Sequence, residues 1–209
     1  MAKFEKGILG HFNGKVGTVV GSTWRGVSYM KSKPTKGNRI PSQKQKEQQD
    51  KFRLISRFIK ALLVLLRQSF SNGGNMSAVN HAFSYNIMHA IMGVYPTYSL
   101  DYSKVLVSDG SLVPVTGAAA VASGNGGVKF NWTPNSGLGA GDTDRFIGVV
   151  YCPELNQAVY TTNGAATRIT GTADIDATLF AGKTVETWGF FISDYATAAS
   201  VYTGQLVVS

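Results

Sequence analysis

Cysteine and long apolar stretches are scarce in this sequence. The single cysteine, Cys152, excludes an internal disulfide framework and any metal site built from several cysteines. It ends a strand-like pattern before Pro153, so we expect a buried thiol. No apolar run reaches the about 20 residues that a membrane-spanning helix needs, and the first residues lack the apolar stretch of a secretory signal. We therefore expect no membrane span and a protein that is cytoplasmic as synthesised, with release only in a particle or by lysis.

Motifs for nucleotide binding are also missing. Residues Gly10 to Val16 contain two glycines and a lysine, but only three residues separate the glycines and no hydroxyl residue follows Lys15. A phosphate-binding P-loop needs four intervening residues and a Ser or Thr after the lysine. The glycine-rich run 137–141 precedes a strand pattern, whereas a dinucleotide fingerprint follows a strand and opens a helix. We expect no nucleotide cofactor.

Residue patterns that would bind a metal ion or carry out catalysis are also weak in this sequence. His81 and His89 would lie about 12 Å apart along a helix, too far to share one metal ion. Asp142 and Asp144 supply two carboxylates where calcium takes about 6–8 oxygens, so a polar loop is the simpler interpretation. We expect no metal and no enzymatic activity.

Acidic residues are almost absent from the first third of the chain. Residues 1–70 contain 15 Lys or Arg against three acids, a net charge of +12, and residues 71–209 contain five against nine, a net charge of −4. This asymmetry suggests that a basic segment meets an anionic partner. That partner is either a nucleic acid or the acidic part of another copy of the chain.

The longest helical pattern runs from Pro41 to Phe70 and organises the rest of the chain. Its first turns are polar, and its second half carries two adjacent apolar rows that predict a helix buried on one side. The stripe is either a core surface or a packing surface between copies. A second helical pattern over 76–92 completes a helical hairpin. The candidate self-association residues combine this stripe with two aromatics of the N-terminal segment: Trp24, Tyr29, Phe52, Ile55, Ile59, Leu62 and Leu66.

The basic N-terminal segment predicts a β-hairpin followed by an extended linker. Strands over 15–20 and 26–31 flank a turn at Gly21 to Arg25, and Pro34 keeps residues 31–39 extended. Trp24 and Tyr29 either stack on bases or pack under the hairpin. The candidate contacts to nucleic acid or to an acidic protein surface are Lys15, Arg25, Lys31, Lys33, Lys36, Arg39, Lys44 and Lys46.

This opening resembles an uncharacterised family of small proteins of Bacteroidota and their mobile elements. The resemblance rests on the glycine-rich opening, on Met30-Lys31-Ser32-Lys33-Pro34 and on Ser42-Gln43-Lys44-Gln45. His11 and Asn13 depart from it, standing where glycine or serine is expected. It covers the first third best and implies a glycine-rich hairpin, a basic linker and a glutamine-rich helix, but no activity.

From Tyr98 onward the apolar pattern changes to a period of two residues. The pattern and its turn signals predict strands at 103–107, 112–120, 127–132, 145–151, 158–162, 167–171, 185–193 and 200–208. Seven or eight short strands in about 110 residues are typical of a two-sheet β-sandwich of the immunoglobulin or fibronectin type III kind.

The sequence thus predicts an α+β protein with three parts. These are a basic glycine-rich hairpin and linker over 1–40, a helical hairpin over 41–95 and an Ig/fibronectin-III-like β-sandwich over 98–209. The function that fits best is a non-enzymatic structural or assembly protein, for example a virion component of a phage or mobile element, that forms a homo-oligomer. The first alternative is a nucleic-acid-binding protein without sequence specificity that uses the basic N-terminus. A weaker one is a carbohydrate-binding sandwich that uses Trp132, Trp188 or Tyr151.

Overall fold

The computed structural model describes residues 3–4, 10–35, 37, 40–70, 76–137, 139–161 and 165–209. The chain forms two compact units, Met1–Ser42 and Gln43–Ser209. The division into three domains, 1–40, 41–95 and 98–209, stays a prediction. In the structure the helices and the strand-rich segment lie together in the second unit, where they share a core.

The first unit is a four-stranded antiparallel meander in the order β1-β2-β3-β4. Its strands are β1 Lys3–Phe4, β2 Phe12–Val16, β3 Val19–Trp24 and β4 Val27–Ser32. The predicted turn at 21–25 is therefore wrong, because Gly21 to Trp24 lie inside β3. Gly21 marks a close approach instead: a Cβ atom there would collide with the Phe12 carbonyl oxygen and lie 2.7 Å from its ring.

The predicted helix over 41–70 is divided in two. Helix α1 spans Gln43–Ala61 and α2 spans Leu63–Ser69. They meet at Leu62, whose backbone leaves the helical region (φ −111°, ψ 12°) while its side chain is fully buried. Both helices contact α3, Ala78–His89, which begins at a Ser77 cap. The break lets the apolar residues on both of its sides reach the core.

The strand-rich segment forms two antiparallel sheets. Most of the predicted strands match, with shifts of a few residues, but two do not. The predicted strand at 103–107 overlaps a 3-10 turn, Tyr102–Lys104, which Asp101 caps by accepting the Ser103 N–H at 3.2 Å. Residues 167–171 contain another, Arg168–Thr170, with a Thr167–Thr170 capping box. The strands are β5 Ile91–Met92, β6 Ser99–Leu100, β7 Thr116–Gly124, β8 Gly127–Thr133, β9 Arg145–Cys152, β10 Gln157–Tyr160, β11 Thr172–Asp176, β12 Thr184–Ile192 and β13 Val201–Val207.

One sheet has the order β10-β9-β12-β13 and the other β11-β8-β7, and β5 and β6 form a separate two-stranded pair. Strands β9 and β12 are buried along nearly their whole length because both of their faces are covered. One face packs against the helices through Ile147, Val149, Tyr151, Trp188 and Phe190. The other packs against the second sheet through Phe146, Val150, Cys152, Val185 and Phe191. The second unit is therefore a mixed α and β fold with three layers: helices, four-stranded sheet and three-stranded sheet.

Candidate functional site

The cationic residues predicted as a contact surface are exposed wherever the structure describes them. Lys15 lies on β2, Arg25 in the turn after β3 and Lys31 on β4. Lys33 follows β4, and its backbone N–H donates to the Thr18 carbonyl at 2.8 Å. Lys44 and Lys46 lie at the start of α1 in the second unit, and Lys36 and Arg39 lie outside the described residues.

A tight two-residue turn presents Trp24 and Arg25. Trp24 pairs with Val27 across the turn, and both central residues, Arg25 (φ 48°) and Gly26 (φ 82°), have positive φ. Positive φ at both positions is the mark of a type I′ turn, whose twist matches that of a hairpin. Glycine takes this conformation freely, whereas Arg25 does so at a cost of about 1–2 kcal/mol.

The strand register assigns the side chains of the first unit to two faces. In an antiparallel sheet, paired residues share a face and successive residues alternate. Lys15 pairs with Val20 and Val20 with Lys31, while Ser22 pairs with Tyr29. We call this side the aromatic face; it comprises Lys15, Val20, Ser22, Trp24, Val27, Tyr29 and Lys31. The opposite face comprises Val16, Val19, Gly21, Thr23, Ser28, Met30 and Ser32.

The two rings of the aromatic face are open to solvent. Trp24 is 64% exposed and Tyr29 is 42% exposed, so the interpretation that they pack under the hairpin is wrong. The Arg25 guanidinium carbon lies 4.8 Å from the centre of the Trp24 ring, and the Lys31 Nζ lies 5.7 Å from that of Tyr29. Each ring therefore sits beside a cation at cation–π distance.

The first unit has little core of its own. On the opposite face Met30 is 71% exposed, and Val16 and Val19 are also exposed. All six residues of β4, an outer strand of the sheet, are exposed. Among the residues of this unit whose burial the structure describes, only Gly21 is buried. A small sheet needs a covered apolar face for stability, and an uncovered edge strand can pair with another strand.

The helical residues predicted for self-association are mostly part of the core. Four of them are buried in the cluster between the helices and the four-stranded sheet: Ile55, Ile59, Leu62 and Leu66. Their contacts are therefore made within the chain. Phe52 is 58% exposed, and its ring centre lies 4.8 Å from that of Phe83. Of the predicted set, only Trp24, Tyr29 and Phe52 offer surface to a partner.

The tyrosines around buried Glu186 are poor candidates for acid–base chemistry. Burial, followed by the Glu186 charge, raises the pKa of Tyr102 to about 12. Burial also raises the pKa of Tyr151 and of Tyr202 above the usual range. The Tyr202 hydroxyl donates to Glu186 Oε2 at 2.6 Å, and Gln205 donates to Oε1 at 2.7 Å. These phenols stay protonated at neutral pH, and those of Tyr151 and Tyr202 donate hydrogen bonds, to Asn156 Oδ1 and Glu186 Oε2.

The histidines have neighbours that the sequence did not indicate. His81 Nε2 lies 3.7 Å from Asp109 Oδ2, and His89 stacks on Tyr85 with ring centres 4.4 Å apart. Within the described ranges, no group of three or more His, Cys, Asp or Glu residues is placed to hold a metal ion.

The aromatic residues proposed for carbohydrate binding do not reach the surface. Trp132, Trp188 and Tyr151 are all buried. Trp132 stacks on Phe146 with ring centres 4.1 Å apart, and Trp188 lies against Tyr202 in the core. The described part of the chain has a shallow cleft of about 230 Å³ beside Arg145 and Ile192, lined by none of these three rings. These residues are packing residues.

Comparison with known proteins identifies the family. A family model described as "Family of unknown function (DUF6266)" matches residues 11–204. The chain belongs to this family. The match spans both units, so the basic sheet and the layered fold occur together in a DUF6266 protein. Its description names no activity.

Other comparisons add little to the DUF6266 assignment. No curated protein matches. One solved structure that matches is the fn3 domain of the human collagen alpha-1(XX) chain, at 15% identity and a TM-score of 0.33. It covers 47% of this chain and 89% of its own. None of the helices in the described ranges combines the length and apolarity that crossing a bilayer requires.

The polar pair Arg168 and Asp144 is a feature of this DUF6266 chain that sequence reasoning missed. Arg168 is fully buried and donates from Nε and Nη2 to Asp144 Oδ2 at 3.1 and 2.9 Å. It also donates to Asn135 Oδ1 and to the Val113 carbonyl, and its guanidinium lies 3.9 Å from the centre of the Phe191 ring. No spacing rule links residues 24 positions apart, so only the folded chain reveals the pair. Arg168 thus connects the loops that contain Val113, Asn135 and Asp144, and its guanidinium donates its hydrogen bonds within the chain.

Proposed function

We propose that this DUF6266 protein is a non-enzymatic assembly protein that self-associates through its N-terminal sheet. The observation that carries the proposal is the sheet itself. Its outer strand β4 is exposed at all six residues, and exposed apolar or aromatic side chains lie on both of its faces. Apolar side chains that stay exposed together on one surface are a common feature of protein interaction sites.

The open edge of β4 indicates how a partner would bind. An outer strand presents unpaired backbone N–H and C=O groups, and an extended segment of another chain satisfies them by adding a strand. The apolar side chains of the opposite face, Val16, Val19 and Met30, would then be covered by the same partner. Both contributions favour a protein occupant.

Charge favours a second copy of this chain as that occupant. Residues 1–42 contain eight Lys or Arg against one acid, a net charge of +7, while residues 71–209 carry a net charge of −4. The basic sheet of one copy therefore meets an attractive field at the strand-rich part of the next. Head-to-tail contact between unlike surfaces builds rings or filaments, which suits a particle component of a phage or a mobile element.

We further propose that the strand-rich segment is an Ig/fibronectin-III-like β-sandwich. The support is its connectivity: seven antiparallel strands divide into sheets of three and four. Consecutive strands change sheet between β8 and β9, between β10 and β11 and between β11 and β12. Such sandwiches carry many functions, so the resemblance itself implies none. In this protein one sheet also supports the helical layer.

A non-enzymatic role is supported by how the buried polar groups are used. Arg168 and Asp144 bind each other, and Glu186 accepts from Tyr202 and Gln205. Asp144 lines a surface cleft of about 230 Å³, but its Oδ2 atom already accepts hydrogen bonds from Arg168 and from the Gly141 N–H.

Size-exclusion chromatography with light scattering tests self-association. We expect the wild-type mass to rise with concentration above the 22.4 kDa of one chain. Met30→Lys places a charge on the opposite face and should weaken association about fivefold or more, as for an interface residue worth over about 1 kcal/mol. Met88→Lys is the matched control, since Met88 is a 68% exposed methionine of α3 and lies outside the strand-rich part. A wild-type protein that stays monomeric at every concentration would overturn the proposal.

A further inference from the structure

We propose that the aromatic face binds single-stranded nucleic acid by stacking bases on Trp24 and Tyr29. Lys15, Arg25 and Lys31 would neutralise the adjoining phosphates. This inference goes beyond self-association and does not rest on it, because it concerns the other side of the sheet from Met30.

The geometry of the rings comes from the strand register. Trp24 pairs with Val27, and Tyr29 lies two residues further along β4 on the same face. Diagonal neighbours of this kind are about 7–8 Å apart. Both rings are exposed, so each offers one open π-face, and every base can stack on such a face whatever its identity.

The cations lie where the sugar-phosphate backbone of a stacked strand would pass. Lys15 and Lys31 flank Val20 on the two neighbouring strands, which places them about 10 Å apart at the usual strand spacing. Arg25 and Lys31 each already contact a ring. Residues 10–42 contain no Asp or Glu, so no carboxylate in this stretch repels a phosphate or neutralises a lysine.

Unpaired bases are the chemistry that this face selects. Stacking requires a base that is not enclosed in a duplex, whereas backbone neutralisation alone would accept any polyanion. A basic surface without exposed rings would bind duplex and single strand alike. The exposure of Trp24 and Tyr29 therefore favours the single strand.

Tryptophan fluorescence of the full-length protein, titrated with a thymidine 20-mer, tests the inference. Trp132 and Trp188 are buried and Trp24 is exposed, so quenching by a stacked base reports on Trp24. We expect saturable quenching at low salt that weakens as salt is added. The same titration with polyphosphate, which has no bases, should bind without quenching.

Variants separate stacking from charge, with binding of a labelled 20-mer followed by fluorescence anisotropy. Trp24→Ala and Tyr29→Ala should each weaken binding roughly 5- to 100-fold. Tyr195→Ala, which removes a ring that is 98% exposed in the second unit, should leave it unchanged. Lys15→Gln with Lys31→Gln should lower the slope of log affinity against log salt by about 1.4. Lys60→Gln, an exposed lysine of α1, controls for the loss of charge.

Three results would overturn the inference. They are unchanged affinity in both ring variants, equal affinity for polyphosphate and the 20-mer, and tighter binding to a duplex of the same length. Met30→Lys separates this inference from self-association, because a monomeric variant that still binds the 20-mer supports the aromatic face alone. A monomeric wild type that binds the 20-mer would overturn the assembly proposal and leave this one standing.

Discussion

Replacing Arg168 by methionine should destabilise the second unit strongly. The side chain of Arg168 is completely buried and that of Asp144 nearly so. Arg168→Met removes two charge-assisted hydrogen bonds to Asp144 Oδ2, together with the bonds to Asn135 and to the Val113 carbonyl. The Asp144 carboxylate would keep one donor, the Gly141 N–H at 3.0 Å.

The magnitude follows from leaving a buried charge without its partner. Such a change costs about 3–5 kcal/mol, because the low-dielectric interior no longer compensates the desolvated carboxylate. For a chain of this size, each kcal/mol lowers the midpoint of thermal unfolding by about 2–4 °C, so the loss should be about 6–20 °C. Arg145→Met is the matched control. Arg145 is 3.6 Å from the exposed Asp194, and such a surface pair contributes about 0–1 kcal/mol.

The double variant Arg168→Met with Asp144→Asn tests the cause of the loss. Asparagine keeps an oxygen that can accept the Gly141 N–H but carries no charge. If the unpaired carboxylate dominates the cost, adding Asp144→Asn should restore about 1–3 kcal/mol of the free energy of unfolding. Guanidinium denaturation followed by circular dichroism measures it. A double variant less stable than Arg168→Met alone would refute the electrostatic explanation and point to lost packing instead.

Three further predictions concern the core. Phe58→Ala should lower the free energy of unfolding by about 3–5 kcal/mol, because the Phe58 ring packs between the helices and the four-stranded sheet. Phe52→Ala, at an exposed site, should lower it far less, and denaturation of both variants measures the difference. Gly189→Ala should cost about 1–3 kcal/mol, since its Cβ would lie 2.8 Å from the Phe146 ring, and unchanged stability would contradict that packing. Because the pKa of Tyr102 is raised in the folded protein, the Tyr102 hydroxyl loses its proton at lower pH in the unfolded chain, and the free energy of unfolding should fall between about pH 10 and pH 12. Denaturation of Tyr102→Phe across that range should show a smaller fall in the free energy of unfolding than the wild type.

Much of the layered fold was predictable from local patterns, but the shape of two segments was not. After Arg145, strand β9 is a continuous apolar run, a pattern typical of strands buried on both faces. That signal could have predicted a helical layer on the four-stranded sheet. In contrast, the sequence predicts a strand at 103–107, yet the 3-10 turn Tyr102–Lys104 overlaps it, because the Asp101 carboxylate caps the chain there. Asp101 Oδ1 accepts from both the N–H and the hydroxyl of Ser103, and these local hydrogen bonds favour the turn over a strand.

The residue types of the candidate N-terminal surface were predictable from the sequence, but the exposure of its aromatic rings was not. The cationic residues follow directly from the sequence, as does the hairpin character of the N-terminal segment. Whether Trp24 and Tyr29 are core or surface depends on which strands pair and in what register. The turn at Arg25 and Gly26, rather than at Gly21, determines that register and places both rings on one open face.

The sequence by itself determined the kind of each long element, the break in charge after the first third and the apolar stripe of α1. These properties depend on neighbouring residues, whose periodicity and charge act within a few positions along the chain. Only the tertiary structure decided that Ile55, Ile59, Leu62 and Leu66 face the chain's own sheet, that Arg168 binds Asp144 and that the residues of β4 are exposed. Those outcomes depend on contacts between distant segments, and the free energy of such contacts is set by the packing of the whole chain rather than by local pattern.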